Sequence, residues 1–306
     1  SYGAYPLTRP CRVGNELLFV QRGGERLRAL SYRYEVDGLV SPEISVLASH
    51  IGEEHGGIDE ITYQQEPQSL VWCKLGDGKL ASITFNRDQE VLAWAQHDFG
   101  GTAISLCSLP TKLGSDQCFL LINRNGTTCL EEIHEAANMD SQRTVAITNN
   151  AVSVSSISYL AKYDLLKTTN GYYYTVPYEQ EGNNLKILND TETGQIQLGM
   201  AFEGLVDLFP PELSQNPATT ILSKAKIQRV AFFFMKTLGP LFNGEVLELF
   251  DFNHTPMDGQ NLFTGRHIYE GGDFGDLYET EIKISLNKPL PFHMQALAIE
   301  ISVNER

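Results

Sequence analysis

The side chains of this sequence that could perform acid–base or metal chemistry are scattered. Its histidines are His50, His55, His97, His134, His254, His267 and His293. None lies at the spacing of a metal-binding pair such as HxH or HExxH. His254 and His267 share one acidic loop, so they form the one histidine pair that could act together. Isolated histidines in loops and strands are the simpler interpretation.

Two pairs of carboxylates lie two residues apart, Asp88 with Glu90 and Glu279 with Glu281. A glycosidase needs two carboxylates that face each other across a cleft. Because the chain has 38 acidic residues, pairs at this spacing also arise by chance. The nucleophile and phosphate motifs GxSxG, GxGxxG and the P-loop are absent. The sequence therefore predicts no catalytic residue and no cofactor, and a propeller-fold hydrolase stays open as a less favoured alternative.

The segment Asp251–Gly259 offers several side-chain oxygens to a cation. These donors are Asp251, Asn253, Thr255 and Asp258. A calcium loop also needs a glycine at its sharp bend and a bidentate acid at its end. Pro256 and Met257 interrupt that pattern, so we predict a turn here and no metal site.

The cysteines are Cys11, Cys73, Cys107, Cys118 and Cys129. Their odd number and the lack of a CxxC pair argue against a disulfide framework or a zinc site. Cys73, Cys118 and Cys129 fall on apolar strand positions, where cysteine acts as a small buried hydrophobic residue. This usage is typical of folding in a reducing compartment such as a bacterial cytoplasm.

Two further motifs have both a functional and a structural interpretation. Asn-x-Thr sequons occur at Asn125, Asn189 and Asn253, but no secretion signal precedes them, so we predict turn residues. The tyrosines 172–174 with Tyr178 could stack on a sugar or a base. Alternating tyrosines on a half-buried strand explain the same run, and we favour that interpretation.

The elements that carry these side chains begin with a hairpin that is repeated. It reads ELLFVQRGGERLRALSY, SLVWCKLGDGKLASITF and QCFLLINRNGTTCLEEI, with turns at Gly23-Gly24, Gly76-Asp77-Gly78 and Asn125-Gly126. The turns lie roughly fifty residues apart, as in β-propeller blades. Asn125-Gly126 suits a type I′ turn, in which both central residues have positive φ. Each repeat, with its flanking strands, has the content of one blade.

Strand signals continue along the rest of the chain, with few helical ones. We predict a turn or helix near Ser41–His50 and an exposed or edge strand in the Val/Ser-rich stretch of residues 136–160. Ile227–Lys236 is predicted to be a strand, although its sequence also fits a helix. ELSQNPATTILSKA is a helical candidate, and Asn253–Gly275 is predicted to be a Gly/Asp-rich loop. The expected fold is mainly β, with partial propeller-like blades over residues 1–140 and a β-rich, sandwich- or barrel-like platform over residues 141–306.

The charge of the chain is strongly acidic. Its net charge is −15, and the stretch Glu245–Glu281 has nine acidic residues against one base, Arg266. Such a surface repels phosphate and excludes groove-reading of nucleic acid. A surface past which DNA slides would be acidic too, although solubility alone explains the same composition. The longest nearly uncharged run, around Val230–Met235, is too short to span a bilayer, and no signal peptide is recognised.

Four segments, in order, resemble one family. They are LTRPCRVGNELLFVQRGGERLRALSYRYEVDGLVSPEISVLASHI, GGIDEITYQQEPQSLVWCKLGDGKLASITFNRDQEVLAWAQHDFGG, KIQRVAFFFMKT and LFTGRHIYEGGDFGDLYETEIKISLNKPLPFHMQALAIEISVNE. The sequence resembles the tail nozzle proteins (tail tubular protein B) of short-tailed bacteriophages and prophages. VQRGG…LRALSYRYEVDG and QQEPQSLVWC are the more specific parts, and residues 136–220 match less distinctly.

The resemblance implies a virion structural protein without catalytic activity. Members typically form a hexameric tube below the tail adaptor, near the tail fibre proteins, and double-stranded DNA passes through the lumen without sequence-specific binding. The implied location is the virion tail, assembled in the bacterial host cytoplasm. Members are usually longer at the N-terminus, so this chain resembles their C-terminal half, and the other half would carry further blades.

Three functions are thus compared. The favoured one is a subunit of the tail nozzle, in which Glu245–Glu281 lines or borders the channel. A propeller-type module that binds a glycan or a partner protein is the alternative, and a hydrolase is the third. A structural subunit predicts apolar or strand-edge surfaces. A binding module predicts exposed aromatic residues around a pit, and an enzyme predicts paired carboxylates in a cleft.

Overall fold

The computed structural model describes residues 2–87, 89–112, 114–169, 171–188, 194–210, 224–249, 262–271, 274–276 and 281–303. The chain divides into two compact units. The first comprises Ser1–Ala137 with Tyr159–Ala161, and the second comprises Asn138–Ser158 with Lys162–Arg306. Both units consist of small antiparallel sheets, so the prediction of a mainly β fold is confirmed.

The first unit contains three meandering sheets in its described residues. Its strands are β1 (Cys11–Val13), β2 (Glu16–Val20), β3 (Leu27–Arg33), β4 (Gly38–Val40), β5 (Ile58–Gln64), β6 (Leu70–Leu75), β7 (Leu80–Asn86), β8 (Val91–His97), β9 (Thr102–Leu109), β10 (Gln117–Arg124) and β11 (Thr127–Ile133). Helix α1 (Ser49–Glu54) and 3-10 turns at Tyr34–Val36 and Val46–Ala48 lie between β3 and β5. The sheets β1–β4, β5–β8 and β9–β11 pair consecutive strands, which is the pattern of propeller blades.

The three predicted hairpin turns are confirmed. Asn125 and Gly126 have φ of 48° and 85°, the positive values that a type I′ turn requires. They join β10 to β11 in a ladder that runs from Arg124–Thr127 to Cys118–Ile133. The helix expected near Ser41–His50 is α1, which begins at Ser49.

Strands β5 and β9, the first strands of two neighbouring sheets, lie side by side. The Glu60 carboxylate on β5 accepts hydrogen bonds from the Ser105 hydroxyl at 3.1 Å and from the Leu106 N–H at 3.0 Å, both on β9. Two residues further along, the Ser108 N–H donates to the Thr62 hydroxyl at 3.2 Å. These bonds satisfy backbone groups of β9 that its own sheet leaves unpaired.

Two apolar clusters lie between the sheets of the first unit. One contains Leu18, Leu27, Val71 and Ile83, and the other contains Trp72, Leu80, Leu106, Leu120 and Ile122. Burial of each such aliphatic side chain contributes about 1.5–3 kcal/mol. The cysteines follow the prediction, because Cys73 is fully buried, Cys118 is 3% exposed and Cys129 packs against the second cluster.

The second unit contains four sheets in its described residues, ordered β12-β18-β14-β15, β13-β17-β16, β19-β25-β21-β22, and β20 flanked by β23, β24 and β26. Its strands are β12 (Asp140–Ala146), β13 (Ala151–Ser153), β14 (Asp164–Thr169), β15 (Tyr172–Thr175), β16 (Tyr178–Glu181), β17 (Asn184–Ile187), β18 (Gln195–Met200), β19 (Gly204–Leu208), β20 (Lys224–Thr237), β21 (Leu241–Phe242), β22 (Glu245–Val246), β23 (Phe263–Glu270), β24 (Phe274–Asp276), β25 (Ile282–Leu286) and β26 (Met294–Val303). A 3-10 turn covers Ser155–Ile157.

Two sequence-based expectations for the second unit need correction. The Val/Ser stretch is an edge strand only over β13, and it then forms the 3-10 turn, since Val152, Val154 and Ile157 all bury their side chains. The predicted loop Asn253–Gly275 contains an eight-residue strand, β23. The strand predicted at Ile227–Lys236 is confirmed as the centre of β20. Of the helical candidate, 212–223 lie outside the described residues and Lys224 and Ala225 belong to β20.

The second hairpin turn packs through glycine backbones against Gly56 and Gly57, which precede β5. The Gly76 N–H donates to the Gly57 carbonyl at 3.0 Å. A Cβ atom added at Gly76 would lie 2.5 Å from the Gly56 carbonyl oxygen, a contact that backbone movement alone could relieve. The turn sequence is therefore fixed by packing as well as by turn geometry.

The variant Gly76→Ala should lower the free energy of unfolding by about 1–3 kcal/mol, because the methyl group overpacks a backbone contact. Urea unfolding followed by tryptophan fluorescence measures the change. Gly23→Ala is the matched control, since Gly23 lies in the first hairpin turn and a Cβ there meets no atom within 4 Å. Equal losses in both variants would contradict the close-packing account.

Candidate functional site

Among the residues singled out for chemistry, those that the structure describes are not brought together. Asp88, His254, Glu279 and the segment Asp251–Gly259 lie outside the described residues, as do the sequons at Asn189 and Asn253. His267 points to the core side of β23, and burial lowers the pKa of its imidazole. Within the described ranges, no group of three or more potential metal ligands occurs.

The tyrosine run forms part of the packing of the second unit. Tyr172, Tyr173 and Tyr174 lie on β15 and are each half-buried, as the structural interpretation predicted. The Tyr178 hydroxyl donates to the Tyr163 carbonyl, and burial raises the pKa of Tyr178. These rings do not form an exposed stacking surface.

His97 is a partly buried histidine in the first unit. Its ring lies 5.0 Å from the Trp72 ring and 6.0 Å from the Phe99 ring, measured between centroids. Its Nε2 atom lies 2.7 Å from the Ser82 hydroxyl. Burial lowers the pKa of His97 to about 4. This is a structural histidine, packed between Phe99 in its own segment and Trp72 and Ser82 on the two preceding strands, β6 and β7.

A histidine–aspartate pair that sequence spacing did not indicate lies at the second hairpin turn. His55 Nδ1 is 2.7 Å from Asp77 Oδ2, and the Lys79 N–H donates to Asp77 Oδ1 at 2.9 Å. Burial acts to raise the pKa of Asp77, but the hydrogen bonds from Lys79 and His55 outweigh it and lower that pKa. The pair ties the residue after α1 to the turn.

An open groove of about 640 Å³ lies between β6, the β9–β10 connection and the end of β11. Trp72, at its base, is 5% exposed and donates from Nε1 to the Gln64 side chain at 2.9 Å. Asp116 at its rim accepts the Gln65 N–H at 2.6 Å, and Glu132 accepts from the Gln117 amide at 3.3 Å. The groove is polar at its rim and offers little aromatic surface.

The sheet β23-β20-β26 has one face in the core and one face open. Its core face contributes Val230, Phe232 and Phe234 to an apolar cluster. The opposite face we call the outer platform face, and it consists of Arg229, Ala231, Phe233, Arg266, Ile268, Glu270, Ala296, Ala298 and Glu300. Phe233 and Ile268 are 37% and 40% exposed. The described part of the second unit leaves this face uncovered.

Cross-strand registers order the outer platform face into rows. Ala231 pairs with Ile268 on one side and Ala298 on the other, which gives an apolar row. The adjacent row places Arg229 between Glu270 and Glu300, with Arg229 Nε 2.6 Å from the Glu300 carboxylate. An apolar strip bordered by a charged row resembles the apolar core and polar rim of a protein interface.

Comparison with known proteins adds little to this geometry. The chain matches no protein-family profile. No curated protein matches it either. Among solved structures, the exo-β-1,3-galactanase of Phanerochaete chrysosporium with β-1,3-galactotriose is similar at 9% identity, with a TM-score of 0.25. The similarity covers 93% of this chain and 65% of that chain, so this chain spans less than two thirds of the enzyme's length. A similarity of this size carries no argument about activity.

The partial burial of His97 makes stability depend on pH. Its folded-state pKa of about 4 lies below the ordinary 6.5, so the folded state resists protonation and stability falls as pH drops through this window. Linkage gives a loss of about 2–3 kcal/mol between pH 7 and pH 4.5. The variant His97→Gln, which can still bond Ser82, should remove that part of the pH dependence.

Urea unfolding of the parent chain and of His97→Gln, each at pH 7 and pH 4.5, measures this difference in stability. The carboxylates titrate in both proteins, so their contribution to the pH dependence cancels in the comparison. His50→Gln, at an exposed histidine on α1, is the control for the loss of a histidine elsewhere in the first unit. Parallel pH profiles for His97→Gln and the parent chain would refute a neutral buried imidazole.

Proposed function

We propose that this protein is a structural subunit of a short phage tail, part of the nozzle through which DNA is ejected. The outer platform face is the observation that carries this proposal. It is a folded, three-stranded surface with Phe233 and Ile268 left exposed among alanines. A contiguous apolar face on a β-sheet is a marker of protein–protein contact.

Other exposed apolar residues support an assembling subunit. The hairpin end between β3 and β4 exposes Tyr32, Tyr34 and Leu39 by 57%, 86% and 70% of their surfaces. Tyr32 and Leu39 are cross-strand partners, so they form one patch. A ring of identical subunits uses two different patches on each copy, since its contacts are head-to-tail.

The charge of the chain suits a conduit for DNA. At a net charge of −15, the protein offers few of the Lys and Arg contacts that hold phosphate electrostatically. The proposed subunit forms a ring, expected to be hexameric in the full-length protein, beside the tail adaptor and fibre proteins. The acidic stretch Glu245–Glu281 borders its channel in this proposal, although a large part of it lies outside the described residues.

The proposed role requires no reaction centre and no cofactor. In the groove of the first unit, the Asp116 carboxylate binds two backbone N–H groups, those of Gln65 and Glu66. A carboxylate held in this way stabilises a loop. The chemistry of the described side chains thus agrees with a function performed by shape.

The expected assembly is tested with Ile268→Lys, which places a charge in the apolar row of the outer platform face. Negative-stain microscopy and light scattering should show closed rings for the parent chain and single subunits for Ile268→Lys, because an unpaired buried ammonium opposes the interface. Leu188→Lys is the control, since Leu188 is 49% exposed on the same unit and lies away from this face. A parent chain that stays monomeric up to about 1 mM would contradict self-assembly.

The tail location needs its own test. Immunogold labelling of particles released by the organism that encodes the chain should place the protein at the tail end, and antibody confined to cell extracts would contradict that location. Mobility-shift assays with double-stranded DNA at low salt should show no retained complex, because the acidic surface repels phosphate.

The groove favours a second candidate, a module that binds a glycan or a peptide through polar contacts. At its rim, the Gln117 amide and the Glu132 carboxylate form a hydrogen-bonded pair. This pair offers a hydrogen-bond donor and an acceptor to a polar ligand. Isothermal titration of an oligosaccharide panel should then give binding that Glu132→Ala weakens by about tenfold. Glu179→Ala, on the exposed part of β16, serves as the control. Binding that Glu132→Ala leaves unchanged would exclude the groove as the binding site.

A further inference from the structure

Edge strands differ in how they are protected. The long edge strands β5, β11, β12, β19, β23 and β26 each contain at least one Asp, Glu or Arg residue. Charged side chains on an edge strand hinder pairing with another chain. β9 is uncharged, but its free backbone groups are covered by Glu60 and Thr62.

The strand β8 has none of these protections. It reads VLAWAQH, without charge, proline or glycine, and it pairs with β7 over seven residues without a bulge. No described strand pairs with its other edge. His97 ends the strand as a neutral residue at pH 7, because its pKa is lowered to about 4. About half of the backbone groups of such an edge point outward, unpaired.

The β8 edge is held rigid by its own unit. Trp94 packs against the first apolar cluster, and its Nε1 atom donates to the Ile44 carbonyl at 3.1 Å. His97 is fixed by Ser82 and Trp72. A strand anchored on both faces loses little conformational freedom when it pairs with another, which favours binding.

Side chains along β8 define what could pair with it. Ala93 and Ala95 are exposed on one side and leave room for larger apolar residues of an added strand. Val91, 39% exposed, extends this surface, and Leu92, 42% exposed, lies on the opposite face of the strand. The exposed acids Glu90 and Asp98 stand at its two ends. The edge thus complements an extended segment that is apolar in its middle and basic at its ends.

We propose that β8 is a docking edge for an extended, basic-ended segment of a partner protein, which adds to the sheet β5–β8 as a fifth strand. Backbone hydrogen bonds would supply the affinity, and bulky side chains beside Ala93 and Ala95 would supply the specificity. This surface lies on the first unit and is separate from the outer platform face, so it does not rest on ring formation.

A labelled peptide that alternates valine with threonine between terminal lysines is the probe. Fluorescence anisotropy should detect its binding to the full chain, and Ala93→Lys should weaken binding by about tenfold or more. Leu130→Lys adds the same charge at a site on β11 that is 70% exposed, and it should leave the affinity within about twofold. Circular dichroism confirms that both variants are folded.

Two N-methylated peptides test the strand geometry. Methylation at the valines blocks one edge of the added strand, and methylation at the threonines blocks the other. The proposal expects one of these peptides to lose binding and the other to retain it. Equal behaviour of the two peptides, or equal effects of Ala93→Lys and Leu130→Lys, would show charge attraction alone and overturn the proposal.

A separate experiment tests whether the strand that pairs with β8 comes from a partner protein or from a second copy of this chain. Sedimentation velocity of the chain without peptide should give the same species for the parent and for Ala93→Lys. Dissociation of an oligomer by Ala93→Lys would identify a second copy as the occupant and overturn the partner assignment. Failure of the peptide to bind at about 1 mM would overturn the docking edge itself, whatever Ile268→Lys does to ring assembly.

Discussion

The pairing of strand edges is the constraint on which the rest of this structure depends. The described residues form seven small antiparallel sheets, and each has two edges whose backbone N–H and C=O groups need partners. Glu60 and Thr62 satisfy the β9 edge, and charged side chains protect most of the others. The surfaces left open are therefore informative, because contiguous exposed apolar area is a marker of contact with another molecule.

The sequence predicted local features of this fold well because they depend on neighbouring residues. Asn125-Gly126 specifies its own turn, and the β-branched and aromatic residues of β20 favour a strand over a helix. Contacts between distant segments could not be predicted. In β5, a register shift after Ile58 lets both Ile58 and Ile61 face the core, although strict alternation would place them on opposite faces. β23 was missed because the consecutive residues Gly265, Arg266 and His267 interrupt the apolar alternation expected of a half-buried strand.

The candidate site was less predictable than the fold for the same reason. The resemblance to tail nozzle proteins indicated what kind of surface to look for, but not where. The outer platform face arises because β23 and β26 flank β20 in a register that gathers Ala231, Ile268 and Ala298 into one row. Each residue is unremarkable in its own strand. His97 shows the converse, since burial makes a potential acid–base group a neutral part of the packing.

A protein that acts through its surfaces responds to substitutions differently from an enzyme. A reaction centre depends on a few side chains, whereas an interface spreads its free energy over an apolar area and a few central residues. The outer platform face and the β8 edge lie on different units and use different forces, apolar burial in one case and backbone hydrogen bonding in the other. Substitutions in one should leave the other intact, because separated sites contribute additively. In the proposed function, self-assembly and capture of a partner strand therefore use different strands of the chain.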